Sequence, residues 1–296
     1  MTERLIRIGE NLNVVTKKYG EAMKNRDKKP LQELAIAETE KGVDYIDLNI
    51  GPARKGGEEL MEWVVKTVQE VTDVPLALDT SNIAAMEAGL RVHKGKALIN
   101  SIMARPERMD AMMPLVRKYD AYMIGLLWGP EGMPRDEHER GMLTAEILAK
   151  AAEYDIPNED IWFDPIIAPL NIQQQQLVSV LEYMKMLQDI APGCKSTCGL
   201  SNSSNGVPDH LRTVINCTYA VMLQRYGMYS AIVDAFDDKL TEITSGKRPD
   251  LVEAIYKAMD GEPVDMDKLD QDGKNYVKTV RCIIGQTLFS NSWLEI

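Results

Sequence analysis

Residues 43–82 read VDYIDLNIGPARKGGEELMEWVVKTVQEVTDVPLALDTSN, and the fold turns on this stretch. Two short apolar runs, residues 44–49 and 75–80, have the length and composition of buried strands. Between them, residues 58–71 repeat their apolar side chains at spacings of three and four, the period of a helix with one buried face. Strand, helix and strand in that order make a βα unit of a parallel sheet. Both runs end in polar residues, Asp47 with Asn49 and then Asp79, which a purely structural strand has no reason to choose.

The same alternation extends in both directions. Further strands are expected at residues 5–9, 97–101, 121–127, 161–166, 196–202 and 231–235, and further helices at 30–41, 83–93, 108–119, 144–154, 174–190 and 211–226. Eight strands with helices between them favour a closed (β/α)8 barrel, a TIM barrel, over an open doubly wound sheet. No G-x-G-x-x-G follows the first strand to argue for a dinucleotide fold. Residues 244–272 are rich in Asp, Lys, Pro and Gly and read as turns between short helices, and residues 276–293 as a final helix that packs on the barrel or on a second subunit. The expected organisation is a barrel over residues 1–243 with a C-terminal helical extension over 244–296.

At 45% hydrophobic and 27% charged, the 296 residues can bury a sizeable core without a metal or disulfide staple. The formal charge of −11 repels phosphate backbones, so nucleic acid is not an expected partner. The opening MTERLIRIGENLN has no apolar h-region, and no run of about 18 apolar residues occurs, so a cytoplasmic protein that neither spans nor enters a membrane is expected. Cys194, Cys198, Cys217 and Cys282 are irregularly spaced and His93, His138 and His210 are scattered, so reduced thiols and no bound metal are expected.

Asp47, Asn49, Asp79, Asn100, Ser101, Asp164, Ser201, Asn202 and Asp234 all fall at the ends of expected strands. Any one of them alone reads equally well as a helix cap or a turn residue. Together they would converge at the C-terminal rim of the barrel, where this fold keeps its active sites. Carboxylates and carboxamides with almost no convergent Lys or Arg disfavour a phosphate ligand, which wants cations or a glycine-rich anion nest. They suit a pterin, whose aminopyrimidinone edge offers adjacent N–H donors that a carboxylate accepts in pairs.

The segments GENLN (9–13), DLNIGPA (47–53), LALDTSN (76–82), ALINS (97–101), FDPII (163–167) and GLSNSSNGVP (199–208) resemble the pterin-binding methyltransferases. The likeness is strongest to the methyltetrahydrofolate:corrinoid methyltransferases, including those of O-demethylation and of the acetyl-CoA pathway, and it runs in order with one motif per strand from about residue 5 to 235. It implies a pterin-binding TIM barrel that moves a methyl group between N5 of tetrahydrofolate and the cobalt of a corrinoid (cobalamin) carried by a separate corrinoid-binding protein. It also implies a homodimer. Carried over residue by residue, the pterin acceptors fall on Asp79, Asn100 and Asp164, and the mobile amide that reaches N5 falls on Asn202. Gly199 and Ser201 then line the same loop, with Asn205 a further contact.

N5 is a poor leaving group unless hydrogen-bonded or protonated as its C–N bond breaks, so the chemistry asks for electrostatic or general-acid help. Asn202 is expected to stabilise N5–H+ through its carbonyl oxygen, with the proton drawn from water or from a network that includes Asp164 and Asn100. Two rivals share the barrel. A dihydropteroate synthase needs cationic contacts on its seventh and eighth strands, where this chain has GLSN and AIVDAFDD. A zinc-dependent thiol methyltransferase needs Cys and His ligands together at strand ends, and Cys198 has no such partner in the sequence. A folate-binding barrel without turnover is the non-enzymatic alternative.

Overall fold

The computed structural model describes residues 4–295. Eight parallel strands run round a barrel: β1 (Ile6–Gly9), β2 (Tyr45–Asn49), β3 (Leu76–Asp79), β4 (Leu98–Met103), β5 (Tyr122–Leu126), β6 (Ile161–Asp164), β7 (Lys195–Ser196) and β8 (Ser230–Val233). Consecutive strands are neighbours from β1 to β7, and β8 pairs with β1 from Ile6↔Ser230 to Gly9↔Val233. The seam between β7 and β8 has no ladder. It is closed by a Gly199–Ile232 bridge, in which the Ile232 N–H donates to the Cys198 carbonyl at 2.8 Å, and by Ser196, whose Oγ accepts from the Tyr229 N–H at 3.0 Å. The arrangement is the nearly closed TIM barrel that the strand count predicts.

Helices α1 (Lys17–Asn25) and α2 (Lys28–Glu40) follow β1, and one helix follows each of the next six strands: α3 (Gly57–Val68), α4 (Ile83–Val92), α5 (Pro106–Lys118), α6 (Glu137–Glu153), α7 (Leu170–Ile190) and α8 (Asp209–Arg225). The short α9 (Asp238–Thr244) follows β8, and α10 (Pro249–Met259) and α11 (Gln271–Ile283) pack on the outer side of α8.

Strand alternation gives the interior its order. Ile8, Ala77, Leu98, Ile124 and Trp162 form one buried cluster inside the barrel, with Tyr45, Tyr122, Tyr229 and Ile232 against it. Two residues further along their strands stand Glu10, Asp79, Asn100 and Asp164, and Asp47 and Asn49 follow Tyr45 on the same face. The intervening residues, such as Leu48, Leu78, Ile99 and Phe163, belong to the larger core between strands and helices. One face of each strand therefore carries an apolar floor first and a polar rim second.

Four sequence expectations need correction. The seventh strand was expected over 196–202 and is only Lys195–Ser196; Leu200–Ser204 turns into a 3-10 segment instead. Helix α6 begins at Glu137 rather than 144, because Asp136 caps it by accepting from the Glu139 N–H at 2.9 Å. Helix α1 was not anticipated at all. The final helix, expected over 276–293, is Gln271–Ile283, capped by Asp270; Trp293 folds back in a short 3-10 turn, buried, with Nε1 donating to Thr279 Oγ1 at 3.0 Å.

Candidate active site

The rim is assembled from strand ends that pair across the barrel mouth. Asn100 on β4 donates through Nδ2 to Asp47 Oδ1 on β2 at 2.9 Å, spanning the intervening β3. Asn49, two residues after Asp47, donates to Asp79 Oδ2 on β3. Its own Oδ1 accepts from the Gly51 N–H at 2.8 Å, which fixes the amide so that it faces the carboxylate as a donor. Asp164 at the end of β6 accepts from the Ile166 N–H at 2.8 Å, and the Gly199 N–H faces the same carboxyl from across the seam. A carboxylate has about four lone-pair sites, so each of these acids keeps acceptor capacity for a ligand.

The electrostatics follow from that placement. No salt bridge reaches Glu10, Asp47, Asp79 or Asp164 among the described residues. Burial pushes Asp79 and Asp164 up to about 6. Asp47 lies well above the usual carboxylate range, because it is buried and because Asp79 stands beside it. Burial raises Glu10 as well, against the opposing hydrogen bond from Ser201. Buried acids without cations are costly unless donors come to them, and a molecule rich in N–H groups could supply such donors.

Past the seam, the 3-10 segment Leu200–Ser204 brings Ser201, Asn202 and Asn205 to the same edge, Asn202 and Asn205 exposed. Ser201 Oγ donates to Glu10 Oε1 at 2.6 Å, tying the loop to the end of β1. Gly199 has a steric reason to be glycine: a Cβ there would stand 2.7 Å from Asn202 Nδ2, so any side chain displaces the Asn202 amide. Arg212 in α8 donates to Ser204 Oγ at 3.2 Å and braces the loop from behind.

The structure thus gathers Asp79, Asn100, Asp164, Gly199 and Ser201, with Asn202 and Asn205, around one mouth. Asp234 ties the ends of β1 and β8 together: its Oδ1 accepts from Asn11 Nδ2 at 2.9 Å and from the Phe236 N–H at 3.0 Å. Asn82 likewise caps α4 and donates to the Ala53 carbonyl.

Two acids have no role in the sequence reading. Glu10, within the GENLN motif, follows β1 with the alternation of the other rim residues. Glu38 sits fully buried in α2, with Oε1 accepting from the Asn11 N–H at 3.3 Å and Oε2 without a hydrogen-bond partner. A Cβ on Gly9 would stand 2.5 Å from that Oε1, so the glycine of GENLN makes room for Glu38.

Two concavities flank the rim without forming part of it. One of about 590 Å3 lies under the β5–α6 connection around Met133 and Leu143; another of about 500 Å3 lies between α8, α9 and α11. Neither is lined by Asp47, Asp79, Asn100 or Asp164; the convergence of acceptors makes the mouth the candidate site. No three His, Cys, Asp or Glu side chains among the described residues are placed to share a metal ion.

Comparison with known proteins meets this geometry. The chain is 27% identical over 232 residues to a methylcorrinoid:tetrahydrofolate methyltransferase of Eubacterium limosum, covering 78% of this chain and 85% of that one. It is 26% identical over 239 residues to the methionine synthase of Mycobacterium tuberculosis, a match that covers 77% of this chain and 20% of that longer protein. Among solved structures, the dihydropteroate synthase of Xanthomonas albilineans in complex with 7,8-dihydropteroate superposes with a TM-score of 0.60 at 18% identity, covering 83% of this chain and 94% of that one, a likeness of fold. A family model described as pterin binding enzyme matches residues 9–234, the span from the end of β1 to just past β8 that holds every rim acceptor, and the chain belongs to that family.

Proposed function

We propose that this protein transfers a methyl group between N5 of tetrahydrofolate and the cobalt of a corrinoid carried by a partner protein. The observation that carries the reading is the set of rim acids, Asp47 and Asp164 buried and Asp79 half-buried, held by amides and backbone N–H groups rather than by cations and lying beside the Asn202 loop. The likeness to a methylcorrinoid:tetrahydrofolate methyltransferase supports it.

In this reading Asp79 and Asp164 accept the N–H donors of the pterin ring, and Asn100, held by Asp47, supplies an amide whose carbonyl oxygen is free to accept. Ordering the ring this way leaves N5 toward the 3-10 segment that bears Asn202. When the methyl leaves folate, the electron pair of the C–N bond stays on N5, which must carry a proton; Asn202 stabilises that N5–H+ through its carbonyl oxygen. Water or an acid of the Asp164 and Asn100 network holds the proton. The corrinoid supplies or takes the methyl group in line with N5, and fixing that line lowers the barrier by orientation alone. No covalent attachment to the protein is required in either direction.

Anaerobic mixing of the purified protein with methyltetrahydrofolate and Co(I) cobalamin tests the reading. Loss of Co(I) absorbance with formation of methylcobalamin is expected. Absence of both transfer and folate binding, in the presence or absence of corrinoid proteins, would sink it.

A further inference from the structure

Behind Asp164 lies an arginine that the reaction does not use directly. Arg140, on the second turn of α6, is fully buried, and no carboxylate lies within ion-pair distance of it among the described residues. A guanidinium out of water without a carboxylate is a costly thing to keep, and a hydrophobic side chain of the same volume would pack there at less expense. Its hydrogen bonds show what it holds. Nε donates to the Pro165 carbonyl at 2.8 Å and Nη2 to the Ile166 carbonyl at 3.5 Å, the two residues that directly follow Asp164. The remaining donors are anchored on α7: Nη1 to Ser179 Oγ and Nη2 to Gln176 Oε1, each at 2.8 Å. Ser179 Oγ in turn donates to Glu137 Oε2 at 3.0 Å, so a carboxylate completes the chain at one remove.

The turn that Arg140 grips is strained. Ile166 has φ +64°, the left-handed region that a β-branched residue enters only when its surroundings force it. In that conformation the Ile166 N–H points back to Asp164 Oδ1, so the strained turn fixes one carboxylate oxygen and leaves the rest of the group for the mouth. We propose that Arg140 is a positioning residue: it clamps the carbonyls of Pro165 and Ile166 to α7 and thereby holds the Asp164 carboxylate in its ligand-binding orientation. The proposal rests on the reading of Asp164 as a pterin acceptor and adds what keeps it one.

Arg140 also acts through its charge, favouring the ionised form of Asp164 against the burial that opposes it. The other titratable groups facing Asp164 are Tyr183 on α7 and Cys198 past β7, both pushed upward by burial and neutral. Around Arg140 stand Tyr183, Tyr219, Glu137, Glu139 and Asp136. A lysine keeps the charge but cannot span two carbonyls and two side chains, because it lacks the planar fork.

The full-length protein with Arg140→Met, Arg140→Lys, and each of these combined with Ile166→Gly tests the assignment. Arg140→Met should lower kcat/KM for methyltetrahydrofolate by about 100-fold and Arg140→Lys by about 10-fold, the loss of a group that acts through Asp164. Glycine adopts φ +64° without strain, so adding Ile166→Gly to Arg140→Lys should recover most of the loss. A further drop on adding glycine would mean that Arg140 merely packs the core, and would overturn the proposal. The second readout needs no folate: the 13C carboxyl resonance of Asp164, identified by its disappearance in Asp164→Asn, should titrate at higher pH in Arg140→Met and return toward the wild-type midpoint in Arg140→Lys. A midpoint that stays in place in folded Arg140→Met would also overturn it. A midpoint that moves in a protein with no methyl transfer would support the action of Arg140 on Asp164 while removing the proposed reaction. Should Arg140→Met fail to fold, the glycine rescue of Arg140→Lys decides.

Discussion

The two ends of the barrel interior are built from the same strands to opposite rules. At the floor, Trp162 lies among Tyr45, Tyr122 and Tyr229 with ring centroids 5.1 to 5.7 Å away, and Lys195 Nζ sits 4.9 Å from the Tyr229 ring and 5.0 Å from that of Tyr122. Lys96 closes the edge, 4.4 Å above Tyr122 and bonded to Asp160 at 2.8 Å. Cations meet rings and carboxylates there. At the rim, two residues on, Asp164 is buried and Asp79 half-buried, with no cation in ion-pair range of either among the described residues, and both are pushed up to about 6. The rim therefore holds acids at a cost in stability that the cation–ring and Lys96–Asp160 contacts of the floor do not carry, as the proposed ligand site would.

That contrast breaks first, and most heavily, at the floor. Trp162→Ala should cost about 3–5 kcal/mol in denaturant unfolding, the range for emptying a fully buried aromatic site. Folate affinity of the protein that remains folded should be close to normal. A loss of affinity without a loss of stability would show that the floor belongs to the site.

Asn202→Ala tests the rim from the other side. Transfer should slow by about 100-fold or more, the usual effect of removing one group aimed at developing charge, while the melting temperature stays within a degree or two because the side chain is exposed. Gly199→Ala should give a milder form of the same defect by pushing the Asn202 amide aside.

Asp79→Asn sharpens the comparison further. It turns one acceptor of the pterin into a donor facing a donor, so folate affinity should fall by about 10-fold to 100-fold in equilibrium titration. Stability at pH 7 should be unchanged or higher, because the carboxylate that is lost was half-buried and ionised above about 6. For the same reason wild-type folate affinity should weaken as pH drops below about 6, when Asp79 and Asp164 take up protons and lose acceptor capacity.

A pH-dependent effect on stability is expected at Glu38, which burial pushes up to about 8 from an ordinary 4.5. The folded state therefore binds the proton more tightly than the unfolded chain. Its contribution is complete below about 4.5 and is lost as pH rises through about 8, with a ceiling of about 1.4 kcal/mol per pH unit between them. Melting temperatures of wild type should fall from pH 6 to 9 more steeply than those of Glu38→Gln; parallel curves would show that Glu38 does not carry this proton.

Much of this was legible beforehand because its physical origin is local. Period-two alternation and the three-and-four spacing of the intervening helices are properties of neighbouring residues, so the strands around Asp47, Asp79, Asn100 and Asp164 could be read directly, and their polar ends with them. Strand seven could not: residues 196–202 have a strand's composition, but the seam opens after Ser196 and the chain there bonds to Ile232 and coils into Leu200–Ser204.

Which polar residues are free acceptors and which are latches was settled only in three dimensions. Asp234 and Asp164 look alike in sequence at the ends of their strands, yet Asp234 is bound by Asn11, 223 residues away, and Asp164 by the backbone of the turn that follows it. Glu38 and Arg140 look like ordinary surface charges of helices α2 and α6, and both are fully buried. By itself the sequence determined the barrel and the chemical character of its rim, because both follow from periodicity along a few neighbouring residues. Only the tertiary structure decided the pairing Asn100–Asp47, the burial of Glu38 and the grip of Arg140 on the turn after β6, because each depends on groups brought together from distant parts of the chain.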